Sequence, residues 1–479
     1  MATSSKPAPA SAKSDAPCQE CRRILAAAKI ELSPAPFRGK LTVHLMEQVN
    51  LGIVGGGTVG SGVFEALQRN GALMASRLGV GLNLVRMAVR DPGKKRAAKI
   101  PAALLTDDWR VVVCDPDVHL VAELIGGTTV AREVVLTALK LGKPVVTANK
   151  ALLSAHGEEL FAAAKKFGTN LYYEASVAGG IPIIKSLREG FVGNQITALY
   201  GIVNGTCNYI LTRMKLEGAE FDTVLADAQQ LGYAETPPDL DIDGHDAAHK
   251  TGILASLAHG FWVNPKKIHV EGIRHLTALD IKFAGELGYT IKLLGTVKKL
   301  DSGCHVQVSV YPTLIPNSHV LASVNYAFNA VFVRGDIVGD SLFYGRGAGK
   351  EATASAVLSD LGDAALDLKF GTKHRLPPFV PHEYSGKVAP IADVVSQYFV
   401  RLNVTDRPGV LASVATIFGE SKIGISSVIQ PEGHEGKTVP LIFMLHYAAT
   451  GAVSEALKKI GRLPVIKGKP VMIRVETFV

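Results

Sequence analysis

From Val49 onward the chain alternates short apolar runs with amphipathic stretches. VNLGIV (49–54), LNLVRMAV (82–89), VHLVAELI (118–125) and PVVTA (144–148) are almost continuously apolar, as strands covered on both faces are, and helical stretches lie between them. That alternation predicts an α/β fold, a Rossmann-type doubly wound parallel sheet over residues 46–170. From about residue 170 the pattern changes. LYYEASV, ITALYGIV, CHVQVSVYPTLI and NAVFVRG read as strands among longer helices, which predicts a second, α+β domain over 171–340. A helix near 341–365 is expected to return to the first sheet. RLPPFVPHEYSGKVAPIAD, with its clustered prolines, places a linker at 366–396. Residues 397–479 read as strand–helix–strand–strand–helix–strand, the order of a ferredoxin-like unit. Residues 1–45, rich in Ala, Ser and Pro at their start, read as a flexible extension without a core of its own.

Composition narrows the class. Of the 479 residues, 47% are hydrophobic and 20% charged, the balance of a soluble enzyme. No apolar run reaches the roughly 18 residues of a membrane span, so no membrane partner is expected. The net charge of +8 raises the question of nucleic acid. No Lys/Arg block is interleaved with aromatics and no zinc-finger spacing occurs, so nucleic acid is not an expected partner. Five cysteines, sparse and odd in number, fit a reducing compartment, and the expected location is the cytoplasm. Cys18 and Cys21 form a lone CxxC, which without a second ligand pair is a poor zinc signal.

The glycine pattern supplies the first chemistry. Gly55, Gly57 and Gly60 form GxGxxG between a strand and a helix. Gly55 suits the tight turn, Gly57 the close approach of a pyrophosphate, and Gly60 the packing of helix on strand. The N–H groups of the helix start then face the phosphates, and Thr58 and Val59 lie in that turn. At the end of the second strand Arg90 is placed to meet a 2′-phosphate, with Lys94, Lys95 and Arg96 behind it. NADP(H) is therefore the expected cofactor, while Asp91 keeps NAD(H) possible by offering a carboxylate to a ribose hydroxyl.

Two further stretches carry ionisable groups. In KPVVTANKALLS, Lys150 falls just beyond the C-terminal end of a strand, the edge where open α/β sheets bind ligands. In LGYAETPPDLDIDGHDAAHKTG, Glu235, Asp239, Asp241, Asp243 and Asp246 form an acidic loop entering a helix, and Asp246 and Lys250 share one helix face. Read alone, that pair is a surface ion pair. DxDxDG at 239–244 has the start of a calcium loop, but Lys250 occupies the position of the required glutamate.

Taken together, these segments resemble homoserine dehydrogenase. The likeness runs from about Val49 to Leu361 through GIVGGGTVGSGV, ELIGGTTVAREVV, VVTANKALL, YEASVAGGIPII, NGTCNYIL, LGYAETPPDLDIDGHDAAHK and GRGAGKEATASAVLSDL, in that order. The resemblance implies NAD(P)H-dependent reduction of L-aspartate 4-semialdehyde to L-homoserine, in the biosynthesis of threonine, methionine and isoleucine. It implies Lys250 and Lys150 as catalytic residues and Glu235, Asp241 and Asp246 as substrate ligands. Thr128, Lys150, Gly232 and Gly347 would lie by the cofactor. A monovalent cation, Na+ or K+, would be held by the Glu174 side chain and the carbonyls of Val177, Gly179 and Ile181. The chemistry suits these residue types, since a lysine ammonium can stabilise and protonate the oxygen that gains charge as hydride arrives.

The C-terminal stretch beginning YFVRLNVTDRPGVLASV resembles an ACT domain, with Asp406–Leu411 between strand and helix and an apolar helix face of Leu411, Val414 and Phe418. Together the two resemblances imply a regulatory unit with threonine feedback, and pairing of copies through the substrate-binding domain at 171–340 and the ACT unit into a homodimer or homotetramer. They also lead us to expect that removing everything after Asp393 leaves a competent, unregulated enzyme. Two alternatives compete: a phosphorylating semialdehyde dehydrogenase with Cys207 as nucleophile, and a non-catalytic ligand sensor.

Overall fold

The computed structural model describes residues 48–478 except 97, 235, 301–304, 373–374 and 431–436. Glu235, the Cys18/Cys21 pair and the 1–45 extension lie outside the described residues.

Strand β1 (Gln48–Val54), helix α1 (Thr58–Leu78), β2 (Gly81–Ala88), β3 (Leu105–Thr106), α2 (Trp109–Val113), β4 (Leu120–Glu123), α3 (Thr129–Lys140), β5 (Val145–Thr147), α4 (Lys150–Lys166) and β6 (Leu171–Tyr172) build a parallel sheet. Its order is β3-β2-β1-β4-β5-β6. Val49, Leu51 and Ile53 are wholly buried, as the apolar run requires. The order reverses between β1 and β4, and a crevice opens there at the strands' C-terminal ends. LYYEASV departs from expectation. Only Leu171–Tyr172 is strand, and it closes this first sheet rather than opening a second domain. The chain then turns, because the Glu174 N–H is taken by Asp360 Oδ2 at 2.8 Å instead of by a neighbouring strand.

The second part contains α5 (Ile183–Lys185), β7 (Ile196–Ile202), α6 (Gly205–Glu217), α7 (Phe221–Gln230), α8 (Asp239–Ile242), α9 (His245–His259), β8 (His269–Val270), α10 (Ala278–Glu286), β9 (Tyr289–Lys299), β10 (His305–Pro316), β11 (Phe328–Gly335) and β12 (Gly339–Arg346). The returning helix, α11, spans Lys350–Phe370 and not 341–365. Residues 341–346 belong to β12, whose exposure alternates with period two against β11. Ala354, Val357, Leu361 and Ala364 of α11 share the core of β1 and α1.

Beyond α11 come β13 (Lys387–Val388), β14 (Val395–Thr405), α12 (Val410–Glu420), β15 (Ile425–Ile429), β16 (Thr438–Ala449), α13 (Thr450–Ile460) and β17 (Val471–Val475). The βαββαβ order is as read from the sequence, with strands arranged β17-β14-β16-β15. The expected linker is shorter, since α11 reaches residue 370 and β14 starts at 395. Its prolines are docked: Tyr173 Oη donates to Pro378 O at 2.5 Å, and Arg188 donates to Pro377 O at 2.7 Å.

The C-terminal unit is not separable in the way expected. It continues the second domain's sheet, in the order β12-β11-β7-β9-β10-β17-β14-β16-β15. Phe399, Ile442, Ile473 and Val475 pack in one core with Val310 and Leu314. The face of α12 also differs from expectation. Val410, Val414 and Phe418, spaced by four, are buried, whereas Leu411 is exposed. No helix among the described residues is long and apolar enough to cross a membrane.

Candidate active site

The acidic loop and α9 meet the first sheet at Lys150. Gly244 enters α9 with φ +85, a backbone that disfavours other residues, which sets Asp246 in the first turn and Lys250 one turn on. Both are buried, at 3% and 7% exposure, so the surface-pair reading does not hold. Lys250 Nζ donates to Asp246 Oδ2 at 2.8 Å and to Val203 O at 2.7 Å. Lys150 Nζ, from the first turn of α4, lies 2.5 Å from Asp246 Oδ1. One carboxylate therefore gathers both lysines. Burial alone would raise the Asp246 carboxyl, but the two ammonium groups outweigh it and hold it well below the usual carboxylate range. Burial pushes Lys250 down, opposed by Asp246 and reinforced by Lys150.

Asn204 and Thr206 complete the cluster, and the sequence reading had singled out neither. Asn204 caps α6 by accepting from Cys207 N at 2.8 Å. Its Nδ2 donates to Asp241 Oδ1 at 2.8 Å and Asp246 Oδ2 at 2.9 Å. Thr206 Oγ1 donates to Asp241 Oδ2 at 3.2 Å. An Asn just past an apolar strand and immediately ahead of a helical run is the local signal for such a cap. Asp239 and Asp243 instead pair with Arg274, with Arg274 Nε donating to Asp243 Oδ1 at 2.6 Å.

A cleft of about 1030 Å³ runs over the glycine turn. Gly55, Gly57, Thr58 and Arg90 line it, with Asp91, Lys94, Lys95, Arg96 and Lys350. A Cβ on Gly57 would meet nothing within 4 Å, so the backbone there is open to a ligand. Gly60 packs instead, since its Cβ would fall 1.9 Å from Gly55 O. Arg96 folds back onto the carbonyls of Pro92 and Lys94 and so shapes the loop. Val59, Thr128, Gly232 and Gly347 are not in this lining. Thr128 precedes α3, and Gly347 abuts Asn329 and Gly179. Behind the lining residues Leu124 and Ile125, Glu123 is wholly buried, and burial raises its carboxyl. It accepts from Thr147 Oγ1 at 2.6 Å, and Thr147 Oγ1 in turn accepts from Asn149 N at 3.0 Å, next to Lys150.

Comparison with known proteins gives this geometry its family. The family model described as "Homoserine dehydrogenase, NAD binding domain" matches residues 55–174, and the one described as "Homoserine dehydrogenase" matches 182–361. A homoserine dehydrogenase of Pseudomonas aeruginosa is 45% identical over 435 residues, covering 90% of this chain and 99% of its own length. The chain belongs to the homoserine dehydrogenase family. A Bacillus subtilis relative is 38% identical over 90% of this chain and 99% of its own. The crystal structure of the Thiobacillus denitrificans homoserine dehydrogenase superposes with a TM-score of 0.85 at 44% identity, covering 90% of this chain and 99% of that one. A hyperthermophilic archaeal homoserine dehydrogenase in complex with NADPH matches with a TM-score of 0.56 at 26% identity, over 67% of this chain and 98% of that one. As a homoserine dehydrogenase family member, the chain is an oxidoreductase of amino-acid biosynthesis with a nucleotide-binding domain.

Within the homoserine dehydrogenase framework the loop 174–181 carries Glu174, Val177, Gly179 and Ile181 together. Glu174 accepts from Ile184 N at 2.9 Å and Lys185 N at 2.7 Å, and burial pushes its carboxyl up to about 7. Ala178 and Gly179 have φ +55 and +50. Cys207 is wholly buried, donates to Asp241 O at 3.2 Å, and burial raises its thiol well above the usual range. A nucleophilic cysteine needs the opposite environment, which removes the phosphorylating alternative.

Proposed function

We propose that the chain reduces L-aspartate 4-semialdehyde to L-homoserine with NADPH preferred, using Lys250 and Lys150 as the charged groups at the reacting oxygen. The observation that carries the reading is the sharing of the buried Asp246 carboxylate by both lysines. A bound nicotinamide cofactor would supply the hydride. Lys250 Nζ, partly freed of its proton affinity by burial, donates to the oxygen as it gains charge, and Asp246 keeps that ammonium oriented. Asp241 and Asp246, with Glu235, bind the substrate ammonium. Arg90, in the cleft lining, would receive the 2′-phosphate.

A monovalent cation fits the 174–181 loop by the chemistry of its donors. They are all oxygens, and a cation would keep the buried Glu174 carboxylate ionised. The C-terminal unit has the ACT-like strand order, and we assign it threonine feedback. Copies would add at the exposed edge β12, where Leu342 and Tyr344 face solvent, giving a homodimer or homotetramer. The deciding experiment follows NADPH oxidation with L-aspartate 4-semialdehyde, repeated with NADH and with added threonine. Turnover with NADPH exceeding that with NADH, and falling with threonine, is expected. No turnover with either cofactor would overturn the reading.

A further inference from the structure

Three short segments dock end to end along one edge of β10. Lys387–Val388 lies beside His305–Val306, His269–Val270 beside Ser309–Val310, and Arg474–Val475 beside Thr313–Leu314. Strand β9 occupies the opposite edge. This alignment brings the end of β8 against β17 of the C-terminal unit. Glu271, the first residue past β8, accepts from Arg474 Nη1 at 3.0 Å and lies 2.6 Å from His269 Nε2. Arg474 is 1% exposed, and its guanidinium sits 4.3 Å over the Tyr311 ring, with Nε unpartnered among the described residues. A buried guanidinium tolerates little displacement from its carboxylate, so Glu271 is fixed by the C-terminal unit.

From Glu271 the chain runs directly onto the acidic loop. A Cβ on Gly272 would lie 2.3 Å from Ile242 O and 2.5 Å from Asp243 Cα. Ile273 N donates to Ile242 O at 2.8 Å. Arg274 then grips Asp243 through Nε at 2.6 Å and Nη2 at 3.1 Å, and Nη2 also reaches Asp239. Three consecutive residues thus hold both sides of Asp241, the carboxylate bound by Asn204 and Thr206.

We propose that residues 271–274 form a positioning clamp for the substrate carboxylate Asp241, anchored in the C-terminal unit by Arg474. The proposal rests on the reading that Asp241 and Asp246 face the substrate. Arg274 and Glu271 act through the loop and touch no reactant. A group that holds substrate in ground and transition states alike changes KM and not kcat when it is displaced, so a clamp of this kind governs how tightly the semialdehyde is held.

The test measures Arg274→Ala, Arg274→Lys and Glu271→Gln in the full-length enzyme, with Lys250→Ala in parallel. Arg274→Ala and Glu271→Gln are expected to raise KM for L-aspartate 4-semialdehyde by about tenfold, with kcat and the KM for NADPH close to wild type. Arg274→Lys should recover part of the loss, because lysine restores charge but not the two-pronged grip on Asp243. A merely structural role would instead lower the melting temperature and the active fraction and leave KM alone. If both variants keep the wild-type KM while Lys250→Ala loses turnover, the clamp is refuted and the site stands. If Lys250→Ala turns over normally, the site reading falls, and the clamp with it.

Discussion

Lys250 and Arg90 carry separate tasks, so their variants are expected to separate them. Lys250→Ala should lower kcat by about 10²–10⁴-fold with NADPH affinity nearly unchanged, measured by steady-state kinetics and by cofactor titration. Because burial depresses Lys250, its donor form is lost as pH rises through a value below that of an ordinary lysine. The reductive kcat should therefore decline on the alkaline side with a midpoint below that value. Arg90→Ala should weaken NADPH by about ten- to a hundredfold and spare NADH, since a charge-assisted bond is worth roughly 1.5–3 kcal/mol. Equal losses for both cofactors would remove the phosphate role. A third lysine affects stability instead. Lys292 is 1% exposed and donates to Asn208 Oδ1 at 3.0 Å, and among the described residues it has no carboxylate partner. Burial, with Lys215 nearby, pushes it down to about 7. The unfolded chain keeps that proton to about pH 10, so between these values it binds more protons than the native state and stability rises with pH. The melting temperature of Lys292→Met should lack the part of the rise from pH 7 to 9 that wild type owes to this group. At this scale the sequence revealed charged residues by motif and carried a local signal for the Asn204 cap, but it could not reveal Arg274, Arg474 or the reach of Asn204 to Asp241. Their partners lie 31 to 203 positions away, and no local spacing encodes such pairs.

Elements were more legible where their determinants are local. The glycine turn, the apolar strands of the first sheet and the βαββαβ order all follow from short-range periodicity. The error at 341–365 arose where a period-two pattern, GDSLFYGR, runs straight into a helix start. LYYEASV misled because an apolar run specifies burial and not strand length; Tyr173 is as buried as a strand residue but lies outside β6. The start of α1 offers a paired prediction. Gly60→Ala forces a Cβ against Gly55 O and should cost about 1–3 kcal/mol of stability by overpacking, visible as a lower melting temperature. Gly57→Ala meets open space and should leave the melting temperature unchanged while weakening the cofactor, whose phosphates need that room. A drop in both quantities for both variants would show that the turn is a packing feature only.

At the scale of the whole molecule the structure changes the expectation for truncation. Cutting after Asp393 would strip β17 from β10, remove the Arg401–Asp280 pair, buried at 7% and 0% side-chain exposure, and open the shared core around Val310 and Leu314. Leaving Asp280 without its partner is costly in itself. The truncated chain is expected to aggregate or to melt far below the full-length enzyme, measured by scanning calorimetry; a soluble, active product would show that the sheet closes without its C-terminal half. This could not be read from the sequence, because the register between β10 and β17 joins residues some 160 positions apart, Thr313 and Arg474. The same placement bears on how the protein is made. β17 is sixth of the nine strands in the order of the large sheet, and Phe478, just beyond it, stacks 3.6 Å from His319. The first sheet can close once α11 has left the ribosome, but the substrate domain must wait until β17 has been made. A message that stops ahead of β17 would yield a misfolded chain and not a partly active one.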